Sequence, residues 1–491
     1  MTTPGLEEWI AAEARLAAVT MARAISATDL VMERPGFGQR IIPQPGSVLA
    51  SPVIAHYDPD PDYFFHWFRD SALVIDALRV ALARGYLDRS AVTRLRECVQ
   101  FGLSLLTLEG DTFLRRRDFR AAVQPDYLQF LRSDEELRAL KGRAVLADTR
   151  VNADGSLDFI RWSRPQTDGP ALRALALLRW WHELAQLQDD PALRDALTEL
   201  LDADLTFTRA HIHRPSSDVW EERVGHHYYT QLLQTEALSR GARWRAGADQ
   251  PGSEGRWADA IEETLARLDG FWDGSRGFYR AHGPTEPGDA RLDAEQELDI
   301  SVILGVLHAG RASGPHSVLD PRAQSTLTAL EELFEARYAI NRGRPSERGP
   351  ALGRYGPDRY YGGGAWYLAT LAAAEFYFRL AQALGRGATL ARVPENARFR
   401  QRLEAGEATT DPRELARRAL VRGDSIMRTV RAFTPQSGEL SEQFDPSSGL
   451  QTSAKHLSWS YAAFITAAAQ RWQACRAIEG SDPGAPRAGT G

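Results

Sequence analysis

Five short stretches of the 491-residue chain set acids and arginines among aromatic rings: "DPDYFFHWFRD" (60–70), "IRWSRPQTDGPALRA" (160–174), "DVWEERVG" (218–225), "RYGPDRYYGGGAW" (354–366) and "LSEQFD" (440–445). That mixture suits a sugar. The flat C–H face of a pyranose packs on Trp or Tyr, while its hydroxyls ask for bidentate partners such as Asp, Glu and Arg. Cleaving a glycosidic bond then takes two carboxyl groups, one protonated to donate to the leaving oxygen and one ionised. Glu221 and Glu442 are the candidates. Glu221 is followed at once by Glu222; in helical geometry consecutive side chains point about 100° apart, so the two cannot do the same job.

Taken singly, each stretch has a plainer reading. Arg69 with Asp70 reads as an ion pair or as a cap for a helix starting at Ser71. Trp162 reads as core, and Glu221 with Glu222 as a solvated face. His226 and His227 are adjacent, so they share no helix face, and no third ligand stands at a suggestive spacing; a metal site is therefore not expected. The glycines at 362–364 lack the Gly-Lys-Ser/Thr ending of a phosphate loop and read as a turn. No cofactor is expected either.

The elements that must position these groups are helical. Apolar residues recur at helical spacing over 6–25, 71–86, 170–187, 191–210, 257–269, 299–311, 321–339, 366–385, 412–430 and 457–478, among other segments, whereas strand-like alternation is scarce. About a dozen helices without a 34- or 40-residue sequence period favour a closed double ring of helices over an open solenoid. The connections are long and rich in Gly, Pro, Asp and Arg, as loops that carry function often are. No linker divides the chain, so a single domain over 1–478 is expected, with 479–491 as a frayed tail.

Composition narrows the partners. With 59 basic and 65 acidic residues the formal net charge is −6, and no long basic run offers a surface to nucleic acid. Glu7, Glu8 and Glu13 break the pattern of a secretory signal. The most apolar stretch, 366–384, is interrupted by Glu375 and Arg379 and reads as a buried helix rather than a membrane span. Cys98 and Cys475 are too few for a disulfide framework, which points to the cytoplasm. The expected partner is a neutral sugar bound by a monomer.

In this order the five stretches closely resemble the glucoamylases of glycoside hydrolase family 15, in the compact form common in fungi, from about Trp9 to about Trp472. "PDYFFHWFRDS" resembles the family's first sugar-binding loop, and "RPQTDGPALRA" is close to a signature. "VWEERVG" resembles the segment of the general acid, "GRYGPDRYYGGGAWYLATLAAAE" the long loop bordering the pocket, and "LSEQFDPSSG" with "LSWSYAA" the segment of the general base. The resemblance implies an all-α (α/α)6 toroid and inverting release of β-D-glucose from the non-reducing ends of maltooligosaccharides or other α-glucosides. It assigns Glu221 as general acid and Glu442 as general base. Arg69, Asp70 and Arg354 would clamp the terminal glucose, and Tyr63 would face its ring. Trp67, Trp162, Trp220, Trp366 and Trp459 would wall the pocket, with Asp218 and Glu222 completing the acids on the acceptor side. Gly364-Ala365-Trp366 departs from the Asn-Pro-Trp of many relatives, and neither a starch-binding module nor an N-terminal β-domain is expected.

Overall fold

The computed structural model describes residues 5–116, 119–187, 190–247, 254–283, 294–404 and 409–480; the rest of the expected tail, 481–491, lies outside the described residues. Twelve described helices reach nine residues or more: Leu6–Ala22, Phe68–Ala83, Ser90–Leu105, Asp168–Gln186, Pro191–His211, Tyr228–Gly247, Glu254–Asp269, Ser301–Ala309, Pro321–Arg337, Tyr367–Gly385, Pro412–Phe433 and Ser458–Glu479. Strands among the described residues are limited to short pairs and one three-stranded ladder. None of the described helices is long and apolar enough to cross a membrane.

Among the described helices, some are buried nearly all round and others on one side only. Within Tyr367–Gly385 every residue from Tyr367 to Phe378 is buried, so that part of the helix has no solvent face. Its neighbour Pro412–Phe433 buries a single stripe through Leu415, Ala419, Ile426 and Val430. The two approach closely at Gly423, where a Cβ would stand 2.4 Å from the Phe378 ring. Three of the helices share a start signal legible in the sequence. Asp190-Pro191, Asp320-Pro321 and Asp411-Pro412 each put proline in the first turn, where its missing N–H costs nothing, and an Asp carboxylate on the orphan amides of that turn.

By compactness the chain divides into two units, one of residues 18–267 with 454–462 and the other of residues 1–17, 268–453 and 463–491. In the first, Asp168–Gln186 packs between Phe68–Ala83 and Tyr228–Gly247, with Pro191–His211 outside it. Gly169 sets the approach of the first two, since a Cβ there would meet the Phe68 Cβ at 2.6 Å. In the second unit, Tyr367–Gly385 packs against Pro412–Phe433 and Ser301–Ala309.

Of the twelve helices, Tyr228–Gly247 is not marked by apolar periodicity, whereas Ser90–Leu105 buries a stripe through Ala91, Leu95, Val99 and Leu105. In Tyr228–Gly247 every residue from Tyr228 to Leu238 is buried, including Thr230, Gln231, Gln234, Thr235 and Glu236, so no apolar stripe distinguishes it. Some of its polar groups are paired: Gln234 Nε2 donates to Thr167 Oγ1 (3.1 Å) and Thr235 Oγ1 to the Gln231 carbonyl (2.7 Å).

Candidate active site

The candidate residues collect at the N-terminal ends of the buried helices and in the loops that enter them. In the first unit, Trp67 ends a short strand paired with Arg150–Val151 and leads into Phe68–Ala83, whose first turn carries Arg69 and Asp70. Asp168 opens the next buried helix, and Trp459 lies in the first turn of Ser458–Glu479. Glu221 sits in the turn of a hairpin whose arms pair Ser216 with Gly225 and Ser217 with Val224.

That turn is templated by Asp218. Its carboxylate accepts from the amides of Trp220 (3.1 Å) and Glu222 (2.9 Å), and its carbonyl from Glu221 (3.1 Å). Glu221 is thereby held at φ +66°, the left-handed region that costs a non-glycine residue about 1–2 kcal/mol. The expected divergence of Glu221 and Glu222 is present, but a left-handed turn produces it rather than a helix. Glu222 faces solvent, while the Glu221 side chain is only 11% exposed.

Three donors converge on the Glu221 carboxylate. Oε1 accepts from Trp67 Nε1 (3.0 Å) and Arg69 Nη2 (2.9 Å), and Oε2 accepts from Trp162 Nε1. Arg69 in turn is shared with Asp70 (3.3 Å) and Asp168 (3.8 Å), all three buried. Burial pushes the carboxyls of Asp70 and Asp168 up to about 6 despite the guanidinium beside them. Arg69 Nε and Nη1, Asp70 Oδ2 and both Asp168 oxygens have no hydrogen-bond partner in the protein, although buried polar atoms almost always have one. Such a cluster can bind hydroxyl groups.

Aromatic rings surround it. Trp220 and Trp459 are near parallel at 6.3 Å, and Arg69 lies 5.3 Å over Trp459. Trp67 meets Tyr63 at 5.2 Å and Trp162 at 6.2 Å, both edge to face. Behind them lies a residue not foreseen from the sequence. The Arg150 guanidinium is fully buried, 3.8 Å over Trp162, 3.9 Å over Phe65 and 4.8 Å over Trp67. Ion pairs Arg150–Asp158 (2.9 Å), Asp158–Arg164 (3.0 Å), Arg164–Asp148 (3.1 Å) and Asp148–Arg132 (3.0 Å) tie it into a buried chain. Asp168 is likewise not foreseen, although it stands inside "RPQTDGPALRA", because its role depends on Arg69, a hundred residues away in sequence.

In the second unit, Arg354 makes a buried bidentate pair with Asp358 (2.8 and 2.5 Å) and lies 5.1–5.3 Å over Tyr355, Tyr360 and Trp366. Trp366 pairs in register with Gln443, and Gln443 with Thr452, which fixes Glu442 at the entry to the middle strand of this ladder. Glu442 is buried, its Oε2 accepts from Ser453 Oγ, and its carbonyl accepts from the Tyr367 amide (3.2 Å). The glycines of 362–364 serve this geometry: the Gly364 amide donates to Gln443 Oε1 (3.0 Å), and Tyr338 donates to the Gly364 carbonyl (2.8 Å).

Of the two histidines, His227 is structural. His227 is buried, its Nε2 reaches the Ser216 carbonyl (2.9 Å), and burial holds it neutral with its pKa lowered to about 4. His226 Nδ1 meets Gln231 at 3.3 Å. His227 thus anchors the base of the Glu221 hairpin at Ser216. Cys98 and Cys475 are both free thiols.

Buried helices whose N-termini gather carboxylates, guanidinium groups and indoles on an all-α frame are built like the (α/α)6 glycoside hydrolases. The chain belongs to glycosyl hydrolases family 15, whose description matches residues 38–104 and 144–469 and so runs through both units. It is 29% identical over 435 residues to glucoamylase P of Amorphotheca resinae, covering 87% of this chain and 65% of that one. The chain thus spans about two thirds of that relative's length. Among solved structures, a family 15 glucoamylase from Hypocrea jecorina matches with TM-score 0.77 and 25% identity over 95% of this chain and 72% of that one. The glucoamylase of Saccharomycopsis fibuligera shares the fold with TM-score 0.75, at 22% identity over 96% of each chain. The all-α (α/α)6 class expected from the sequence is therefore the class observed.

Proposed function

We propose that the chain is an exo-acting glucoamylase that removes glucose from the non-reducing ends of α-1,4-linked maltooligosaccharides with inversion to β-D-glucose. The observation that carries this reading is the Glu221 carboxylate, gripped by Trp67, Trp162 and Arg69 at a left-handed backbone position that only the surrounding turn sustains. Support comes from family membership and from the glucoamylases among its relatives.

In this mechanism Glu221 is the general acid and protonates the glycosidic oxygen, and Glu442 is the general base and takes a proton from the attacking water. The C1–O bond breaks as the water oxygen bonds C1 from the opposite face, and inversion of this kind needs carboxyl groups roughly 6.5–9.5 Å apart. Glu442 stays oriented through Ser453 and its place beside the Trp366 strand. Arg69, Asp70 and Asp168 offer their buried atoms that lack a hydrogen bond in the protein to the hydroxyls of the terminal glucose, and Arg354 completes the clamp. Tyr63, Trp67, Trp162, Trp220, Trp366 and Trp459 wall the sugar, and Asp218 shapes the acid's turn while Glu222 serves the acceptor sugar. We further infer a monomer acting in the cytoplasm, a compartment consistent with the two free thiols.

The test is a set of initial rates on maltose, isomaltose and trehalose, with the product anomer followed by NMR. Maltose should be preferred and β-glucose should appear first. Glu221→Gln should lose at least about 100-fold in turnover, since a general acid contributes that much. Release of α-glucose, or a Glu221→Gln enzyme within tenfold of the parent, would overturn the assignment.

A further inference from the structure

The family match is interrupted at residues 105–143, and the described part of that stretch is ordered and folds onto the site. It contributes helix Gly110–Arg116, short 3-10 turns at Phe119–Ala122 and Pro125–Phe130, and helix Asp134–Arg138, which a Ser133 capping box starts. Phe119, Val123, Leu131 and Leu137 share one apolar cluster with Phe65 and Trp67, against which Tyr63 and Trp162 pack. The junction with the site is a backbone bridge between Leu131 and Ile160, with the Arg161 amide donating to the Phe130 carbonyl (2.7 Å) and the Arg132 amide to the Phe159 carbonyl (2.9 Å). Trp162 follows directly. Arg132 also enters the ion-pair chain that reaches Arg150 beneath Trp162.

This rigid attachment holds apolar side chains out toward solvent. Tyr127, Leu128 and Phe130 are 39, 44 and 49% exposed within four residues of chain. Tyr127 is seated on Gly36, where a Cβ would fall 2.4 Å from its ring, and meets Phe37 at 5.1 Å and Phe130 at 6.2 Å with the rings steeply inclined. Exposed aromatic rings fixed in this way and interleaved with the polar Gln124, Asp126, Gln129 and Arg161 have the chemistry of a sugar platform. The inclination of the rings fits a chain that twists from one residue to the next better than a flat surface.

We propose that residues 105–143 add a holding surface for longer α-glucans, in which Tyr127, Leu128 and Phe130 continue outward from Trp162 and grip sugars on the acceptor side of the cleaved bond. This rests on the functional reading above. It makes the segment a determinant of chain-length preference, with Trp162 joining the acid to the platform.

The experiment compares the intact chain with a Tyr127→Ala/Phe130→Ala variant by kcat/KM on maltose and on maltoheptaose. The ratio of maltoheptaose to maltose should fall about fivefold or more, as expected for loss of ring stacking worth about 1 kcal/mol. Tyr127→Phe should retain the parent ratio. Maltoheptaose binding measured by calorimetry in a Glu221→Gln background should weaken by a similar factor when the two rings are removed. An unchanged ratio, or an equal fall on both substrates with a lowered melting temperature, would overturn the inference. So would a change from dimer to monomer in sedimentation with the ratio intact, which would mark a self-association surface. If the parent protein hydrolyses no α-glucan, the functional reading fails separately, and the calorimetry alone decides whether the platform holds one.

Discussion

Replacing Trp162 with Phe would remove one hydrogen-bond donor from the acid's surroundings while leaving a ring in place over Arg150. In the intact protein, Trp162 Nε1 supplies Glu221 Oε2, whereas Trp67 and Arg69 both serve Oε1. The variant therefore leaves Oε2 without its indole donor in a pocket where the side chain is only 11% exposed. A hydrogen bond to a charged group is worth about 1.5–3 kcal/mol, which corresponds to a fall of roughly 10- to 150-fold in kcat/KM. The aromatic ring that remains keeps most of the stack on Arg150, now 3.8 Å from Trp162, so the unfolding midpoint should move little. Trp162→Ala, which also removes the stack, should lower both. The assay is initial-rate kinetics on maltose alongside a thermal melt of each variant. A Trp162→Phe enzyme within twofold of the parent would refute the idea that the three donors hold Glu221 for its task. A loss of activity matched by an equal loss of stability would refute it too, because the indole would then be serving the core.

Three further outcomes follow from the same contacts. Arg150→Met removes the cation behind Phe65, Trp67 and Trp162 but leaves Asp158 paired with Arg164, so the cost in urea unfolding should stay near about 1–3 kcal/mol, and turnover should fall at temperatures where the protein is folded; unchanged turnover would deny the backing role. Asp168 is raised to about 6 by burial, so its contribution to stability is full below about pH 4 and is lost as pH rises through 6; the melting temperature of Asp168→Asn relative to the parent should rise between about pH 4 and pH 7, and a flat or falling difference would contradict this. Glu13 is raised to about 7 by burial, and a Cβ at Gly438 would stand only 2.9 Å from its carboxylate, so the parent should lose stability as pH rises from about 4.5 through 7 and Glu13→Gln should flatten that slope in thermal melts.

Much of the molecule is legible in its residue order. The Asp-Pro pairs at 190, 320 and 411 mark helix starts because capping is a local contest between a carboxylate and a few amides. The stretch 366–384 reads as a buried helix, and Tyr367–Gly385 is one, because its period and its two interrupting charges lie within a few turns. Tyr228–Gly247 escapes such a reading, since its inward polar residues find partners such as Thr167 that lie far away in sequence.

Residue order alone thus sets the fold class and proposes candidate acids, arginines and tryptophans, because residue types and short spacings are written into it. Tertiary structure decides what those groups do to one another. Only packing at Gly169 brings Asp168 within 3.8 Å of Arg69, and only the fold slides Arg150 behind two indoles that point at the same carboxylate. The left-handed turn at Glu221 and the aromatic strip at 127–130 belong to the same class of facts. Each depends on charges and rings distant in sequence meeting in a medium from which water is excluded, where their interactions are strongest and no local pattern records them.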